Sequence, residues 1–163
     1  MTNQFSHIDE AGNPNMVNVA NKAKTLRTAK AQCKIKLPNE VLSKLQNNDI
    51  ISKKGSVFQT AIIAGIMAAK KTGDLIPLCH PLSLEDCRIN ISIDEQKNIV
   101  VESTAIITAK TGVEMEAMTA VSIAALTIYD MCKALSHDII ISNIQLMEKR
   151  GGKNDFKREA SET

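Results

Sequence analysis

The sequence predicts an α+β domain whose elements follow the order strand, helices, strand, strand, helix, strand. Residues 27–37 and 87–93 alternate apolar and polar side chains, which is the period-2 pattern of half-buried strands. Residues 56–71 instead repeat apolar side chains at helical spacing, and a second long apolar helix is predicted after residue 111. This order is typical of the ferredoxin-like βαββαβ fold, in which helices cover one face of an antiparallel sheet.

The first strand carries its apolar residues on one face, namely Ala29, Ala31, Cys33, Ile35 and Leu37. Arg27 lies on the same side at the beginning of the strand. Its guanidinium either reaches inward at the end of the sheet or marks where the strand leaves the core, and the pattern leaves both open. Pro38 ends the strand and favours a short helix over residues 41–45, which Asn47-Asn48-Asp49 interrupts.

The first long helix is predicted to follow Ser56, because serine commonly caps helix N-termini, and Gly73 is predicted to end it. Lys54 and Gly55 come just before this cap. The two residues form either an anion-binding corner beside the helix or an ordinary solvated lysine next to a turn glycine.

The segment Asp74–Leu82 places Cys79 and His80 side by side between Pro77 and Pro81. Each proline fixes its own φ and keeps the preceding residue out of the helical region, so we expect a stiff, non-helical loop. Histidine titrates near neutral pH, and rigid loops often carry functional groups, which makes the pair a candidate site. The alternative is a buried loop in which the cysteine packs and the backbone satisfies the histidine.

Two later strands, residues 87–93 and 99–109, are predicted to pair as a hairpin, and a last strand covers residues 139–149. At 163 residues the chain is long enough for one domain with a real core. We therefore expect a flexible N-terminal arm over residues 1–20, a single ferredoxin-like catalytic domain over residues 21–150, and a polar, disordered tail over residues 151–163.

The second long helix is predicted to begin at a capping box, Thr111-Gly112-Val113-Glu114, and to extend to about Leu135. Between Ala117 and Tyr129 it carries no charged residue. A helix without a polar face is buried on all sides, so we expect a partner subunit to cover its outer face.

Composition argues against several classes of protein. The net charge is only +2 and aromatic residues make up 2% of the chain, which disfavours a nucleic-acid module. The longest apolar runs contain too many small or polar residues to span a membrane, and the N-terminus lacks the pattern of a secretory signal. The four cysteines are scattered without zinc-type spacing, so we expect free thiols in a cytoplasmic protein.

Charged residues on the second long helix are candidates for acid–base chemistry. Asp130 and Lys133 share a face and form either a structural ion pair, which is the simpler interpretation, or an acid–base pair. Glu114 and Glu116 open the same helix, where acidic residues also simply stabilise the helix dipole. Glu116 and Asp130 are roughly 21 Å apart along the helix, so the two ends serve either two sites or one pocket between subunits.

Five further cations lie near the ends of predicted elements: Arg27, Lys54, Lys149, Arg150 and Lys153. If they converge on one cleft, they suit a polyphosphate. If they are dispersed, they are ordinary solvated side chains, and the sequence alone leaves both open.

Motifs along nearly the whole chain resemble those of the cyclic pyranopterin monophosphate synthase family of molybdenum cofactor biosynthesis. The most specific are Leu78-Cys79-His80-Pro81 and Tyr129-Asp130-Met131-Cys132-Lys133, and the others are Met16–Val19, Lys53–Gly55, Thr111–Ala117 and Lys149–Lys153. Asn18 stands where the family commonly has Asp, and Ser56 stands where an acid is frequent. These departures put the contacts of the arm and of the Lys54 corner in doubt.

The resemblance implies a homohexamer, a trimer of dimers, with active sites at the dimer interfaces. It implies the substrate 3′,8-cyclo-7,8-dihydroguanosine triphosphate, which is made from GTP. The product is cyclic pyranopterin monophosphate, formed with loss of pyrophosphate. No metal or organic cofactor is expected for this step.

The resemblance also implies roles for individual residues. Asp130 resembles the catalytic acid/base and Lys133 its partner, and we place Lys54 and His80 in the catalytic set as well. The implied substrate-binding residues are Leu78, Cys79, His80, Glu114, Met115, Glu116, Arg27 and Lys149. Such a set suits the chemistry, because rebuilding a purine as a pterin needs proton transfers and closing a cyclic phosphate needs cations over developing charge.

The alternative function is a non-catalytic small-ligand-binding or scaffold domain, because ferredoxin-like folds also serve as regulatory modules. An Asp130→Asn variant that assembles and binds ligand but has lost turnover would separate the two. A nucleic-acid binder, the third possibility, would show steeply salt-dependent binding.

Overall fold

The computed structural model describes residue 8 and residues 11–159 of the chain. Its elements, in chain order, are β1 (Thr25–Lys36), α1 (Asn39–Leu42), β2 (Leu45–Gln46), β3 (Asp49–Ser52), β4 (Gly55–Ser56), α2 (Val57–Ala69), α3 (Thr72–Leu75), β5 (Asp86–Ile93), β6 (Ile99–Ala109), α4 (Glu114–Cys132), β7 (Ile140–Arg150) and β8 (Phe156–Lys157). Of the predicted N-terminal arm, residues 1–7, 9 and 10 lie outside the described residues. The rest of the arm forms one isolated bridge, between Ile8 and Pro14.

The main sheet has the strand order β5-β6-β1-β7-β8, and all neighbouring strands are antiparallel. Helix α2 connects β1 to the β5–β6 hairpin, and α4 connects that hairpin to β7. The two helices pack against each other and against the sheet. Strands β1, β5, β6 and β7 with these helices form the ferredoxin-like βαββαβ arrangement, which confirms the predicted fold class.

The inward face of β1 lies at the centre of the core. Its fully buried residues are those that the alternation predicted: Ala29, Ala31, Cys33 and Ile35. Small side chains on the facing elements let α4 approach the sheet closely. Ser103 of β6, for example, donates its hydroxyl to the carbonyl oxygen of Ala117 at 2.7 Å.

The two long helices approach each other most closely at Gly65 of α2. A Cβ at this position would lie 2.7 Å from the carbonyl oxygen of Ala120 and 3.2 Å from the Cβ of Ala124, both on α4. Only glycine fits there without a shift of the α4 backbone. This close packing fixes α4, which carries candidate residues at both of its ends.

Helix α4 differs from its prediction at both ends. Its N-cap residue is Val113, which makes no side-chain capping bond, so the predicted capping box is wrong. The carboxylate of Glu114 instead forms an ion pair with Lys149 of β7. The helix ends at Cys132 rather than near Leu135.

The outer face of the helical layer is apolar and exposed in a single chain. Leu126 of α4 is 54% exposed, and Ile63 and Met67 of α2 are also exposed. The single chain thus leaves one face of α4 exposed, and the burial of that face by a partner subunit stays a prediction. By length and composition alone α4 could cross a membrane, so the expectation that no apolar run is suited to do so was wrong on that criterion; half of the stretch is buried inside this domain.

Several short elements escaped the sequence pattern. Strands β2, β3 and β4 form a small antiparallel sheet before α2, where only a helix and a break were predicted. Helix α1 is a single turn that ends at Leu42, and α3 is another single turn that includes Gly73. The predicted loop from Asp74 therefore begins inside a helical turn. Two- to four-residue elements are too short for periodicity to reveal them.

The chain turns back along the sheet after β7. Strand β8 pairs with Glu148 and Lys149, and the backbone N–H of Arg158 donates to the carbonyl of Met147 at 2.8 Å. The polar composition predicted a disordered tail from residue 151, whereas residues 151–159 form this turn and strand. Backbone hydrogen bonds make the strand, and polar side chains do not oppose them. Residues 160–163 lie outside the described residues.

Candidate active site

The loop after α3 and the beginning of α4 enclose a pocket of about 240 Å³. Leu78, Cys79 and His80 line it from the loop, and Met115 and Glu116 line it from the helix. The loop is non-helical at Cys79 and His80, as its prolines predicted. The structure thus brings together the two segments that the sequence nominated for substrate binding.

A wider cleft of about 500 Å³ adjoins this pocket. Its walls are the beginning of β1, residues 110–114, and the end of β7 with the loop that follows. The cations along these walls are Lys22, Arg27, Lys110, Lys149, Arg150 and Lys153, and the acidic lining residue is Glu114. Six cations around one carboxylate suit an anion with several charges, such as a polyphosphate.

Glu114 lies where the two cavities meet, because it lines both of them together with Thr111 and Gly112. Its Oε1 lies 3.1 Å from Nζ of Lys149. The carboxylate also lies directly against Gly112, where any side chain would collide with it. The ion pair therefore holds the Lys149 ammonium at the junction of pocket and cleft.

Arg27 reaches inward at the beginning of β1, which decides between the two possibilities that its position left open. Its Nε donates to the carbonyl oxygen of Ala109 at 3.4 Å, and its Nη2 donates to that of Lys110 at 3.5 Å. Both bonds are long. Since a guanidinium has five N–H donors, this side chain has capacity for an anion in the cleft.

Asp130 and Lys133 lie at the opposite end of α4. Nζ of Lys133 donates to Oδ1 of Asp130 at 2.6 Å. The side chain of Lys133 is 50% exposed and that of Asp130 is 57% exposed. The hydrogen bond and charge of Lys133 lower the pKa of Asp130, and the charge of Lys54 lowers it further. The same contact raises the pKa of Lys133. At neutral pH the pair is therefore a carboxylate and an ammonium, with Lys54 within electrostatic reach.

Glu116 is the buried acid of the pocket, with 3% of its surface exposed. Burial raises its pKa because it disfavours the carboxylate, and the charge of Glu114 raises the pKa further. Burial also raises the pKa of the Cys79 thiol, and the charge of Glu116 adds to this effect. Cys79 is therefore protonated at neutral pH and is a poor nucleophile in this environment.

The predicted residues divide into two groups. Eight gather around the N-terminal end of α4: Arg27, Leu78, Cys79, His80, Glu114, Met115, Glu116 and Lys149. Asp130, Lys133 and Lys54 belong to the other end. Arg150 and Lys153 also converge on the cleft, as the polyphosphate interpretation required, whereas Lys54 does not.

Sequence reasoning missed two cations of the cleft, Lys22 and Lys110. Lys110 directly follows the last residue of β6, so the end-of-element criterion that selected Lys149 could have found it. Lys22 lies in an irregular segment before β1 and gives no comparable signal.

Within residue 8 and residues 11–159, no group of three or more His, Cys, Asp or Glu side chains is arranged to hold a metal ion. The four cysteines are free thiols, as predicted.

The fold and its cavities define a class of protein: a ferredoxin-like domain with a cationic cleft and a buried acid at one end of α4 and an ion-paired aspartate at the other end. The comparison with known families is more specific. Residues 16–152 match the model of the MoaC family, and the chain belongs to this family.

Relatives of known name agree with this membership. The chain is 47% identical over 153 residues to a cyclic pyranopterin monophosphate synthase of Xanthomonas axonopodis pv. citri (strain 306), which covers 94% of this chain and 93% of that protein. It is 50% identical over 158 residues to a molybdenum cofactor biosynthesis bifunctional protein of Synechocystis sp. (strain ATCC 27184 / PCC 6803 / Kazusa), covering 94% of this chain and 46% of the longer protein. Molybdenum cofactor biosynthesis protein 1 of Dictyostelium discoideum is 46% identical over 169 residues, covering 93% of this chain and 27% of that protein.

Proposed function

We propose that this protein is a cyclic pyranopterin monophosphate synthase in molybdenum cofactor biosynthesis. It converts 3′,8-cyclo-7,8-dihydroguanosine triphosphate to cyclic pyranopterin monophosphate and pyrophosphate. The observation that carries the proposal is the 47% identity to a synthase over nearly the full length of both chains. The cleft and its six cations support a substrate with a triphosphate group.

The two adjoining cavities suit the two parts of this substrate. The cations of the cleft, Arg27 and Lys149 among them, bind the triphosphate and stabilise charge on the departing pyrophosphate. The smaller pocket takes the purine-derived ring between the Leu78–His80 loop and the beginning of α4. Glu116, whose pKa is raised by burial, keeps its proton to higher pH than an ordinary glutamate and is suited to donate a proton or a hydrogen bond there.

The catalytic group completes the site from a second subunit. Asp130 and Glu116 are roughly 21 Å apart along one rigid helix, so a single chain does not bring them to one substrate. We infer a homohexamer, a trimer of dimers, in which the Asp130, Lys133 and Lys54 end of one chain faces the pocket of its partner. The exposed apolar face that contains Ile63 and Leu126 supports such an association.

Closure of this interface changes the acid–base pair. In the single chain, Asp130 and Lys133 are more than a third exposed and solvent screens them. A partner that excludes water opposes the effect of Lys133 on the pKa of Asp130, because desolvation disfavours the carboxylate. Water exclusion also strengthens the attraction between Asp130 and Lys133, so Asp130 titrates closer to working pH, where a general acid/base is most effective, only if desolvation outweighs that attraction. His80 lies on the pocket wall and serves the same proton transfers.

We infer that the reaction needs no metal or organic cofactor, because side chains provide both the proton transfers and the cationic stabilisation. We also infer a cytoplasmic location. The four free thiols support it, since reducing compartments keep cysteines unpaired.

The test is turnover by the purified protein. The cyclised GTP derivative is supplied, and pyranopterin product and pyrophosphate are measured together. Asp130→Asn and Lys133→Ala should each lower kcat by at least about 100-fold, the usual scale for loss of a general acid or base. Both residues are exposed in the chain, so the thermal midpoint of each variant should stay close to that of the wild type.

The outcomes separate the alternatives. Product from the wild type that is lost in both variants supports the lyase. Tight binding of the substrate without product supports a binding or scaffold domain, and neither binding nor product contradicts both functions.

A further inference from the structure

We propose that Asp155 is a positioning residue that fixes the loop Gly151–Asp155, the return loop, against the cationic cleft. The loop connects β7 to β8 and carries Lys153 into the cleft wall beside Arg27. Fixed in this way, the two cations are prepared for a di- or triphosphate group. The identity of that group rests on the proposed function, whereas the positioning itself rests on the contacts of the loop.

Both polar groups of the Gly151 backbone are held by side chains. Oδ1 of Asp155 accepts the N–H of Gly151 at 3.0 Å, which closes the return loop on itself. The hydroxyl of Thr25 donates to the carbonyl oxygen of Gly151 at 2.7 Å, which ties the loop to the beginning of β1. Residues that are 126 positions apart in the sequence are thereby joined at the mouth of the cleft.

The return loop also packs directly on the backbone of β1. Gly151 has φ +83°, and a Cβ there would collide with the carbonyl oxygen of Leu26. A Cβ on Gly152 would lie 2.8 Å from Nη1 of Arg27. The loop therefore forms one side of the space around the Arg27 guanidinium, and its displacement would leave that side open.

The far end of the return loop is anchored separately. Strand β8 pairs with β7, Nε of Arg158 donates to the carbonyl oxygen of Leu146 at 3.1 Å, and the Arg158 guanidinium lies 5.6 Å from the ring centre of Phe156. With both ends held, Lys153 has less freedom to lose when an anion binds, and such preorganisation increases affinity. Asp155 itself is not a lining residue of the cleft, so it acts through the loop.

The test measures pyrophosphate binding to the full chain by calorimetry, without any need for turnover. Asp155→Ala removes the acceptor and should weaken binding by about 3- to 10-fold, the range expected for loss of one hydrogen bond. Asp155→Asn keeps Oδ1 as an acceptor and should bind within about twofold of the wild type. Glu95→Ala, which removes an exposed acid from the β5–β6 turn, is the matched charge control.

Simple electrostatics predicts the opposite sign. If Asp155 were only a negative charge near an anion site, both Asp155→Ala and Asp155→Asn would tighten binding. That result, or equal weakening by both variants, would overturn the proposal. A further check combines Asp155→Ala with Lys153→Ala. In the Lys153→Ala variant, Asp155→Ala should weaken binding little further, because the cation that Asp155 positions is gone. An undiminished loss of affinity there would also overturn the proposal.

Folding and function are controlled separately. Thr25→Val removes the other anchor of Gly151 and should also weaken pyrophosphate binding, which keeps the test decisive if Asp155→Ala folds poorly. In the turnover assay, one outcome is an active wild type together with an unchanged KM in Asp155→Ala. That outcome would contradict the positioning role of Asp155 but agree with the proposed synthase activity. Weakened pyrophosphate binding by Asp155→Ala in a protein without turnover would support the positioning role and contradict the proposed synthase activity. Absence of pyrophosphate binding in the wild type would refute the positioning role.

Discussion

The carboxyl group of Glu116 lies between two cavities, the pocket of the Cys79–His80 loop and a smaller one of about 120 Å³ beside α3. Its pKa is raised because burial, and then the charge of Glu114, disfavour the carboxylate. The folded chain therefore holds the Glu116 proton more tightly than the unfolded chain does. The resulting contribution to stability is present at pH values below the unfolded pKa and is lost as pH rises through the folded pKa.

Glu116→Gln should accordingly stabilise the fold in a pH-dependent manner. At pH 4 the variant and the wild type should unfold at similar temperatures, because both have a neutral side chain at this position. At pH 8 the variant should unfold at a higher temperature, because it has no buried charge. The increase should be about 2–4 °C for each kcal/mol by which the free energy of unfolding rises. Thermal unfolding followed by circular dichroism from pH 4 to pH 8 measures the difference.

Glu95→Gln is the control for this prediction. Glu95 is exposed in the turn between β5 and β6, so its substitution should leave the unfolding temperature at pH 8 close to that of the wild type. A difference between Glu116→Gln and the wild type that stays constant across the pH range would show that Glu116 is not a buried, titrating acid.

Among the secondary-structure elements, the N-terminus of α2 combines a predicted serine cap with a hydrogen bond to an aspartate that was not predicted. Ser56 accepts the N–H of Gln59 at 3.0 Å, as its sequence position indicated. Its hydroxyl donates to Asp49 of β3, and the other carboxylate oxygen of Asp49 accepts the N–H of Phe58 at 3.0 Å. Asp49 thus supplies negative charge at the helix N-terminus.

Ser56→Ala should lower the free energy of unfolding by about 1 kcal/mol, the typical loss for an N-cap side chain. The substitution leaves the Gln59 N–H without its acceptor and removes the donor of Asp49 Oδ2. Urea denaturation measures the change through the transition midpoint. Ser92→Ala, at an exposed strand position, should change the midpoint much less, and an equal effect of both substitutions would contradict the capping role.

The lengths of the elements explain what the sequence could predict. Strands β1, β5, β6 and β7 each extend over eight or more residues and were all predicted. Period-2 alternation defined β1 and β5 closely, and a run of β-forming residues indicated β6. Strands β2, β4 and β8 have two residues each and carry no such pattern. The capping box failed because α4 begins two residues later than the motif requires, with Val113 as its N-cap. Glu114 pairs instead with Lys149, a tertiary partner that no local motif reveals.

At the scale of the whole chain, topology determines which candidate residues meet. The beginning of β1 and the end of β7 are adjacent, since Ala29 pairs with Lys149 in antiparallel register. The fold alone therefore brings Arg27 near Lys149, and this part of the cleft was predictable from the βαββαβ order. The return loop was not predictable, because its position depends on side-chain hydrogen bonds to Gly151.

The helix that separates the two groups of candidate residues leads to a prediction about the assembled protein. If each pocket combines Asp130 of one subunit with Lys149 of its partner, the variants Asp130→Asn and Lys149→Ala are each inactive but complement one another. Random reassortment makes half of the dimers mixed, and each mixed dimer has one pocket with both residues intact. Co-refolding equal amounts of the two variants should therefore restore about a quarter of wild-type turnover.

The complementation assay needs two references. Each variant refolded alone should remain inactive. The Asp130→Asn/Lys149→Ala double variant mixed with an equal amount of wild type should retain about a quarter of the wild-type activity per pocket, because only wild-type dimers have intact pockets, whereas sites contained within one chain would retain about half. Size-exclusion chromatography with light scattering verifies that the subunits have reassociated. If the mixed oligomers form and stay inactive, Asp130 and Lys149 serve the same chain or separate sites. The 21 Å separation, roughly fourteen residues at the helical rise, would then require a substrate bound along α4 rather than a pocket between subunits.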